Sequence, residues 1–179
     1  LGGGTAKTVF ASIISRYQDP DGDLGISDEG WEIAAKFLGN AHNIADGEDA
    51  VGSVINGTYP MDEHWASGVL TEQKDRDYKF QIMTPDIGEP YVVESLAISA
   101  GTKKYDTCVA FLNWLGSSDV QLDWSNNYGT IPCQKEALDQ VSDDIKELME
   151  TLKPQDLDWS FIAENVDAWV EKAELEYVQ

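Results

Sequence analysis

The sequence predicts an α/β fold, and two features of its 179 residues lead to that prediction. Apolar side chains recur at helical spacing in several stretches, and short apolar runs bounded by Gly and Pro lie between them. An alternation of helices and short strands is typical of α/β proteins. The hydrophobic content of 42% is that of a globular protein with a buried core.

The first third of the chain predicts three helices. Residues 5–17 place apolar side chains on one face, after a Gly-rich loop and Thr5 as a capping residue. Residues 27–40 repeat this pattern and stop near Gly39, and residues 47–58 predict a shorter helix.

The middle of the chain mixes predicted strands with one helix. Residues 58–64, 79–85 and 94–101 predict short buried strands, and residues 65–73 predict a helix between the first two. The Pro- and Gly-rich segment 84–93 indicates a crossing point between two structural units. Helical patterns then continue to the C-terminal part of the chain, at residues 103–117, 118–132, 134–152 and 156–176.

The composition excludes several classes of function. The net charge is −21, and such a surface repels nucleic acids and anionic lipids. This negative charge favours a cationic ligand, or it is only that of a solvated surface. No apolar run approaches the roughly 20 residues that span a bilayer, and no nucleophile–base arrangement indicates an enzyme. Cys108 and Cys133 are too few for a zinc site, and both a disulfide and two separate thiols remain open.

An acidic loop, residues 19–30, resembles the calcium loop of an EF-hand. Asp19, Asp21 and Asp23 fall at its first, third and fifth positions. The sixth position should be Gly and the twelfth Glu, but the sequence has Leu24 and Gly30 there. An irregular calcium site and a solvated connector are the alternatives, and the departures favour the connector.

The order of motifs along the chain resembles the C-terminal half of extracellular solute-binding proteins of ABC importers. The motifs are "GGGTAKTVF", "DEGWEIAAKFLGN", "GEDAVGSVINGTYPMDEHWA" and "YGTIP", together with Phe111, Trp114, Leu115, Ser118 and Gln121 in one helical element. The likeness is greatest to the ferric-iron, sugar-phosphate and polyamine-like branch.

The resemblance implies a type II periplasmic-binding-protein-like fold of two α/β lobes joined by a hinge. Residues 1–86 would form the second lobe, and residues 87–179 the hinge and the returning C-terminal part of the first lobe. The chain opens abruptly, so we expect a fragment in which the N-terminal part of the first lobe is absent. A separate chain carrying that segment or a dimer mate would then cover the apolar face left in water.

The resemblance also suggests ligand-binding residues at the start of the chain. Gly3, Gly4 and Thr5 match a loop that contacts anionic or metal-chelating ligands, and helix N-termini bind anions in general. Plain N-capping of the helix is the alternative.

Two further segments contain candidate ligand-binding residues. Glu63, His64 and Trp65 lie where the iron-binding branch has adjacent tyrosines, which this sequence lacks. Glu63 is a hydrogen-bond acceptor and Trp65 a stacking surface. Glu89 and Tyr91 follow the predicted hinge. Core packing and hinge packing, respectively, are the alternatives.

The function that the resemblance implies is solute binding for an ABC permease, in the periplasm or outside the cell, with a lipid anchor in a Gram-positive host. The solute would be an iron complex, a phosphorylated sugar or a similar small molecule, bound in an interlobe cleft. No cofactor is expected, with Ca²⁺ or bound Fe³⁺ as remote options. The alternative function is a calcium-binding interaction module centred on residues 19–30.

Overall fold

Helices make up most of the computed structural model, which describes residues 1–178. A single strand, β1 (Gln18–Asp23), occurs in these residues, preceded by a 3-10 turn at Ser15–Tyr17. The helices are α1 (Gly4–Ile14), α2 (Asp28–Gly39), α3 (Ala50–Ile55), α4 (Ala66–Arg76), α5 (Tyr105–Leu115), α6 (Ser118–Tyr128), α7 (Lys135–Leu138), α8 (Asp143–Thr151) and α9 (Trp159–Glu176).

The chain divides into two compact units. Unit 1 contains Leu1–Glu63 and the segment from Gln155 onward, and unit 2 contains His64–Pro154. The predicted boundary between residues 86 and 87 does not coincide with this division. The assignment of residues to lobes of a larger fold therefore stays a prediction.

Side-chain caps fix the starts of three helices in unit 1, and at α3 the cap is Asp49, which accepts from Gly52 N at 2.9 Å. The Ser27 side chain accepts a hydrogen bond from Gly30 N at 3.3 Å, at the start of α2. The Asp158 carboxylate accepts from Ser160 N and Phe161 N at 3.1 and 3.0 Å, at the start of α9. Such caps satisfy backbone N–H groups that have no partner inside the helix.

One apolar cluster forms the core of unit 1, where α1, α2 and α9 meet. Each of these helices buries side chains at spacings of three, four or seven residues, which places them on one helical face. The buried residues are Phe10, Ala11, Ile14, Ile26, Trp31, Ala34, Ile162, Trp169 and Ala173.

The acidic stretch that follows α1 folds back on itself as a hairpin. Asp19 N donates to Gly25 O at 2.9 Å, and β1 pairs with Ile26 in the antiparallel sense. The turn has positive φ at Leu24 (50°) and Gly25 (75°), as two-residue hairpin turns commonly do. Leu24 has a Cβ, so this conformation costs roughly 1 kcal/mol unless contacts hold it.

Two buried indoles supply those contacts. Trp31 Nε1 donates to Asp23 O at 3.0 Å, and Trp169 Nε1 donates to Leu24 O at 2.9 Å. The hairpin is therefore attached to α2 and α9 through its turn carbonyls, while the side chains of residues 19–25 stay exposed or half-exposed, as the prediction of a solvated connector expects.

Unit 2 has a smaller buried core, formed mainly by α7, α8 and the residues between them. Its buried apolar residues are Ala137, Val141, Ile145 and Leu148. Gln121 of α6 joins the end of α5 to the loop after α6, because its Nε2 donates to Leu115 O at 3.0 Å and its Oε1 accepts from Cys133 N at 3.1 Å.

Seven of the eight predicted helices agree with the structure, with small differences at the ends. The prediction of one helix over residues 134–152 was wrong in detail, because α7 ends at Leu138 and α8 begins at Asp143. Cys108 and Cys133 both lie in unit 2 and are free thiols in the structure.

The three predicted strands were wrong for the described residues. Residues 58–64, 79–85 and 94–101 contain no strand and are irregular. A strand is defined by hydrogen bonds to a neighbouring strand, and residues 1–178 offer these segments no such neighbour. Residues 1–178 are mostly helical with one strand, so they do not confirm the α/β class.

Candidate functional site

The predicted ligand-binding residues are divided between the two units. Gly3, Gly4, Thr5 and Glu63 lie in unit 1, whereas His64, Trp65, Glu89 and Tyr91 lie in unit 2.

A stacked pair of rings occupies the start of α4. The rings of His64 and Trp65 have centroids 4.2 Å apart and planes inclined by 17°. Trp65 is 56% exposed, so its indole presents surface to the solvent. A flat aromatic surface of this kind binds sugar rings by stacking and cations by cation–π attraction.

Gly68 makes room for this pair. A Cβ on Gly68 would lie 2.5 Å from Trp65 Cε2 and 2.6 Å from His64 Nε2, closer than real Cβ contacts. The rings therefore rest directly on the first turn of α4. The sequence signal was present as "HWASG", but a Gly inside a helix pattern is not by itself evidence of a ring contact.

The Glu63 carboxyl group precedes this pair in the sequence. Partial burial raises its pKa, and the negative charge of Asp62 raises it further. A carboxyl group with a raised pKa exchanges between acceptor and donor roles more readily than an ordinary glutamate.

Glu89 joins two segments of unit 2. Its backbone N donates to Lys153 O at 2.7 Å, and its Oε2 accepts from Lys153 N at 2.9 Å. The second carboxylate oxygen, Oε1, is buried without a hydrogen-bond partner in residues 1–178. Burial, followed by the charge of Glu89, raises the pKa of Tyr91. The contacts with Lys153 fit the hinge-packing alternative, while Oε1 could still accept a ligand donor.

The Gly-rich start of the chain begins α1. Gly3 is the N-cap residue in an extended conformation, and no side chain caps the helix. The glycines at positions 2, 3 and 4 have open space where a Cβ would be. The N–H groups of the first turn are therefore accessible to an anion.

The three aspartates of the acidic loop make contacts of another kind. Asp19 Oδ1 accepts from Asp21 N at 3.0 Å, and Asp23 Oδ2 pairs with Lys172 Nζ at 3.2 Å. Within residues 1–178, no group of three or more His, Cys, Asp or Glu side chains is arranged to hold a metal ion. The geometry gives the calcium hypothesis no support.

Lys172 is a notable residue that the sequence reasoning missed. Its ammonium group lies 2.7 Å from Glu176, 5.1 Å from the centre of the Trp31 ring and 6.0 Å from that of Tyr177, besides its pair with Asp23. The hydrogen bond to Glu176 raises the pKa of Lys172, against the opposing effect of burial. The i,i+4 spacing to Glu176 was the one available sequence signal.

A groove of about 750 Å³ lies in unit 2, beside residues 78–82. The rings of Tyr78 and Phe80 are 4.8 Å apart on one side of it, and Ile145 and Leu148 of α8 belong to its lining. Lys79 and Glu147 form an ion pair that connects the two sides at 3.2 Å.

No helix in the described residues is long and apolar enough to cross a membrane.

Comparison with known proteins identifies the class. Residues 5–153 match the family model of bacterial extracellular solute-binding proteins. The chain is also 33% identical, over 175 residues, to a probable ABC transporter periplasmic-binding protein, y4fP, of Sinorhizobium fredii. This match covers 98% of the chain and 48% of the relative. No solved structure matches the chain.

The chain therefore belongs to the bacterial extracellular solute-binding proteins. Membership of this family implies a periplasmic-binding-protein-like fold. The chain spans about half the length of the curated relative that it matches.

Proposed function

We propose that this protein is the ligand-binding component of an ABC importer, which captures a small solute and delivers it to a permease. The observation that carries the proposal is the stacked pair of His64 and Trp65, whose exposed indole is held in place on α4. A preset binding surface loses little conformational entropy when a ligand docks on it. The family match supports solute binding in general, and the stack supports a solute with a ring or a cationic group.

The candidate residues of each unit, taken separately, favour a chemistry of their own. In unit 2, Trp65 provides a face for a sugar ring, and the unpartnered Oε1 of Glu89 provides an acceptor for a hydroxyl group. In unit 1, the open N–H groups at Gly4 and Thr5 favour an anion such as a phosphate or an anionic iron chelate. We therefore propose a phosphorylated sugar or an iron complex as the solute, acting in the periplasm or at the cell surface.

Thermal unfolding with a small panel of solutes tests this proposal. The panel contains glucose 6-phosphate, glycerol 3-phosphate and ferric citrate, with glucose and citrate as uncharged and iron-free comparisons. A ligand at a hundred times its Kd stabilises the folded state by about 2.7 kcal/mol, which raises the melting temperature measurably. At least one phosphorylated sugar or the iron complex should do so.

Trp65→Ala and Trp114→Ala form a matched pair for this experiment. Both indoles lie in unit 2 and are similarly exposed, at 56% and 55%. Trp65→Ala should abolish the ligand-induced rise in melting temperature, whereas Trp114→Ala should keep it. A rise that survives Trp65→Ala, or a panel in which no member has an effect, would contradict the proposed site.

A further inference from the structure

One dipeptide of unit 1, Asn56–Gly57, has the chemistry of a spontaneous modification. Asn56 is the only asparagine of the chain that is followed by glycine. The backbone nitrogen of the residue after an asparagine can attack the side-chain amide carbon, and a side chain on that residue hinders the attack. Glycine has no Cβ and turns freely, so it offers no such hindrance. The sequence therefore distinguishes Asn56 from every other asparagine.

The structure leaves this dipeptide accessible. Asn56 is the C-cap residue of α3, and both Asn56 and Gly57 are exposed. Gly57 N donates to Val54 O at 3.1 Å, and this hydrogen bond must open before the nitrogen can attack. Helix α3 has six residues and buries none of them. Opening its last turn therefore costs little free energy.

Thr58 activates the side-chain amide for the attack. Asn56 Oδ1 accepts hydrogen bonds from Thr58 N at 2.9 Å and from Thr58 Oγ1 at 2.6 Å. Two donors on one carbonyl oxygen stabilise the negative charge that develops on it when the carbon is attacked, as an oxyanion hole does. The local geometry thus favours reaction at this carbon.

The residue that follows connects this site to the polar contacts of the same loop. Tyr59 N donates to Ser53 O at 3.0 Å, and Tyr59 Oη donates to Glu48 Oε1. An isoaspartate at position 56 lengthens the main chain by one carbon atom before Gly57. It also draws the oxygen that Thr58 contacts into the main chain. The turn between α3 and Tyr59 then no longer fits between its two ends.

We propose that Asn56 is a site of spontaneous deamidation and that its isoaspartate product releases Tyr59 from Glu48. The deprotonated Gly57 N forms a bond to Asn56 Cγ, and Nδ2 takes up a proton from water and leaves as ammonia, which gives a succinimide ring. Water then adds its OH to one of the two ring carbonyl carbons and its proton to the ring nitrogen. The ring opens to aspartate or to isoaspartate, with no change in oxidation state.

Timed incubation of the chain without any solute tests the modification. Peptide mass spectrometry should detect the replacement of NH₂ by OH at Asn56 at least about tenfold faster than at Asn40, which is also an exposed helix C-cap but precedes Ala41. The rate should be higher in mildly alkaline than in mildly acidic buffer, because the attacking nitrogen must lose its proton. Thr58→Val should lower the rate, since it removes the Oγ1 donor. Conversion no faster than at Asn40, or a rate that Thr58→Val leaves unchanged or raises, would overturn the inference.

The titration of Glu48 tests the release of Tyr59. The hydrogen bond from Tyr59 contributes most to the lowered pKa of Glu48, about 2. In the isoaspartate form, separated by chromatography, the midpoint followed by NMR should rise toward 4.5. Asn56→Asp is the matched control and should keep the low midpoint, because it retains the ordinary main chain and an acceptor for Thr58. An unchanged midpoint in the isoaspartate form, or the same rise in the control, would contradict the release. Neither measurement depends on whether a solute binds.

Discussion

Unit 1 fully buries several of its large aromatic side chains, whereas unit 2 leaves most of its own in water. Phe10 and Trp169 are fully buried in unit 1, while Phe111 and Trp114 of unit 2 are 51% and 55% exposed. Helix α5 buries no residue at all. Both units consist of well-formed helices, so helix formation alone does not provide a core. The core of unit 1 depends on α9, which returns from the far end of the chain to pack on α1 and α2.

The largest difference between the units should appear when one tryptophan is removed from each. Trp169→Ala removes a fully buried indole and its hydrogen bond to Leu24 O. We expect a loss of about 3–5 kcal/mol in the free energy of unfolding. Trp114→Ala should cost about 0.5 kcal/mol or less, since its indole is half exposed. Urea unfolding followed by circular dichroism measures both, and equal losses would contradict the contrast between the units.

The Lys172 contacts should account for the next largest effect. Lys172→Met keeps most of the apolar stem but removes the ammonium group from Asp23, Glu176 and the Trp31 ring. We expect a loss of about 1–2 kcal/mol in the free energy of unfolding, from charged hydrogen bonds and a cation–π contact. Lys36→Met is the control, because its pair with Glu32 is long, at 3.9 Å, and exposed, and should cost under about 0.5 kcal/mol. A larger cost for the control would show that Lys172 has no special role.

A smaller effect is expected at the ring pair of unit 2. Gly68→Ala introduces a Cβ where His64 and Trp65 lie, so the rings must move. The cost should be about 1 kcal/mol, at the low end for overpacking, because exposed rings can rotate away. The stack should be lost, which chemical shifts of the His64 ring would report. Gly101→Ala, which meets open space, is the control and should leave those shifts unchanged. Unaltered His64 shifts in Gly68→Ala would refute the stacked geometry.

The loop between α2 and α3 shows that unit 1 also has a region held by polar contacts. Glu48 accepts hydrogen bonds from Tyr59 Oη, from Ala45 N at 2.9 Å and from His42 Nε2 at 3.0 Å. These contacts, with Tyr59 the largest contributor, lower the pKa of Glu48 from 4.5 to about 2. The same hydrogen bond raises the pKa of Tyr59.

The sign of the pH dependence follows from the lowered pKa of Glu48. The ionised carboxylate stabilises the loop fully above pH 4.5, and this contribution is lost as the pH falls toward 2. Carboxyl resonances followed by NMR should show Glu48 titrating near pH 2, with the loop losing order in that range. Glu48→Gln should show a loosened loop already at neutral pH, whereas Asp46→Asn should behave like the unaltered protein. A Glu48 midpoint near 4.5 would exclude the arrangement.

The smallest effect should be at the acidic hairpin. Asp21→Asn should change the free energy of unfolding by under about 0.5 kcal/mol, because its carboxylate is exposed. Calcium should leave the melting temperature of both proteins unchanged. A calcium-dependent rise that Asp21→Asn removes would restore the calcium hypothesis.

The helices could be predicted because their signals are local. Ser27 and Asp158, for example, are residue types that commonly cap helices, and in the structure they are the N-cap residues of α2 and α9. The strands at 79–85 and 94–101 were wrong because a strand needs a partner, and an apolar run does not reveal whether one is present. The packed hairpin was missed because its turn has Leu24 at a position where Gly or Asn is expected.

The candidate site was predictable only as a set of residue types. Trp65 was singled out as a stacking surface, but its contact with His64 depends on Gly68 three positions later and was not foreseen. The Lys172 contacts could not be foreseen either, because they bring together residues 23, 31 and 172 from distant parts of the sequence. Pairings over such distances require the tertiary fold.

Because Trp31 and Trp169 are buried, their fluorescence emission differs from that of the other tryptophans. The other four tryptophans, at positions 65, 114, 124 and 159, are between 43% and 56% exposed. Indoles in water emit at longer wavelengths than indoles in a protein interior. The short-wavelength edge of the emission spectrum therefore comes from the two buried indoles of unit 1, beside the hairpin turn. The loss of this emission during unfolding shows when unit 1 opens, and no added dye is needed.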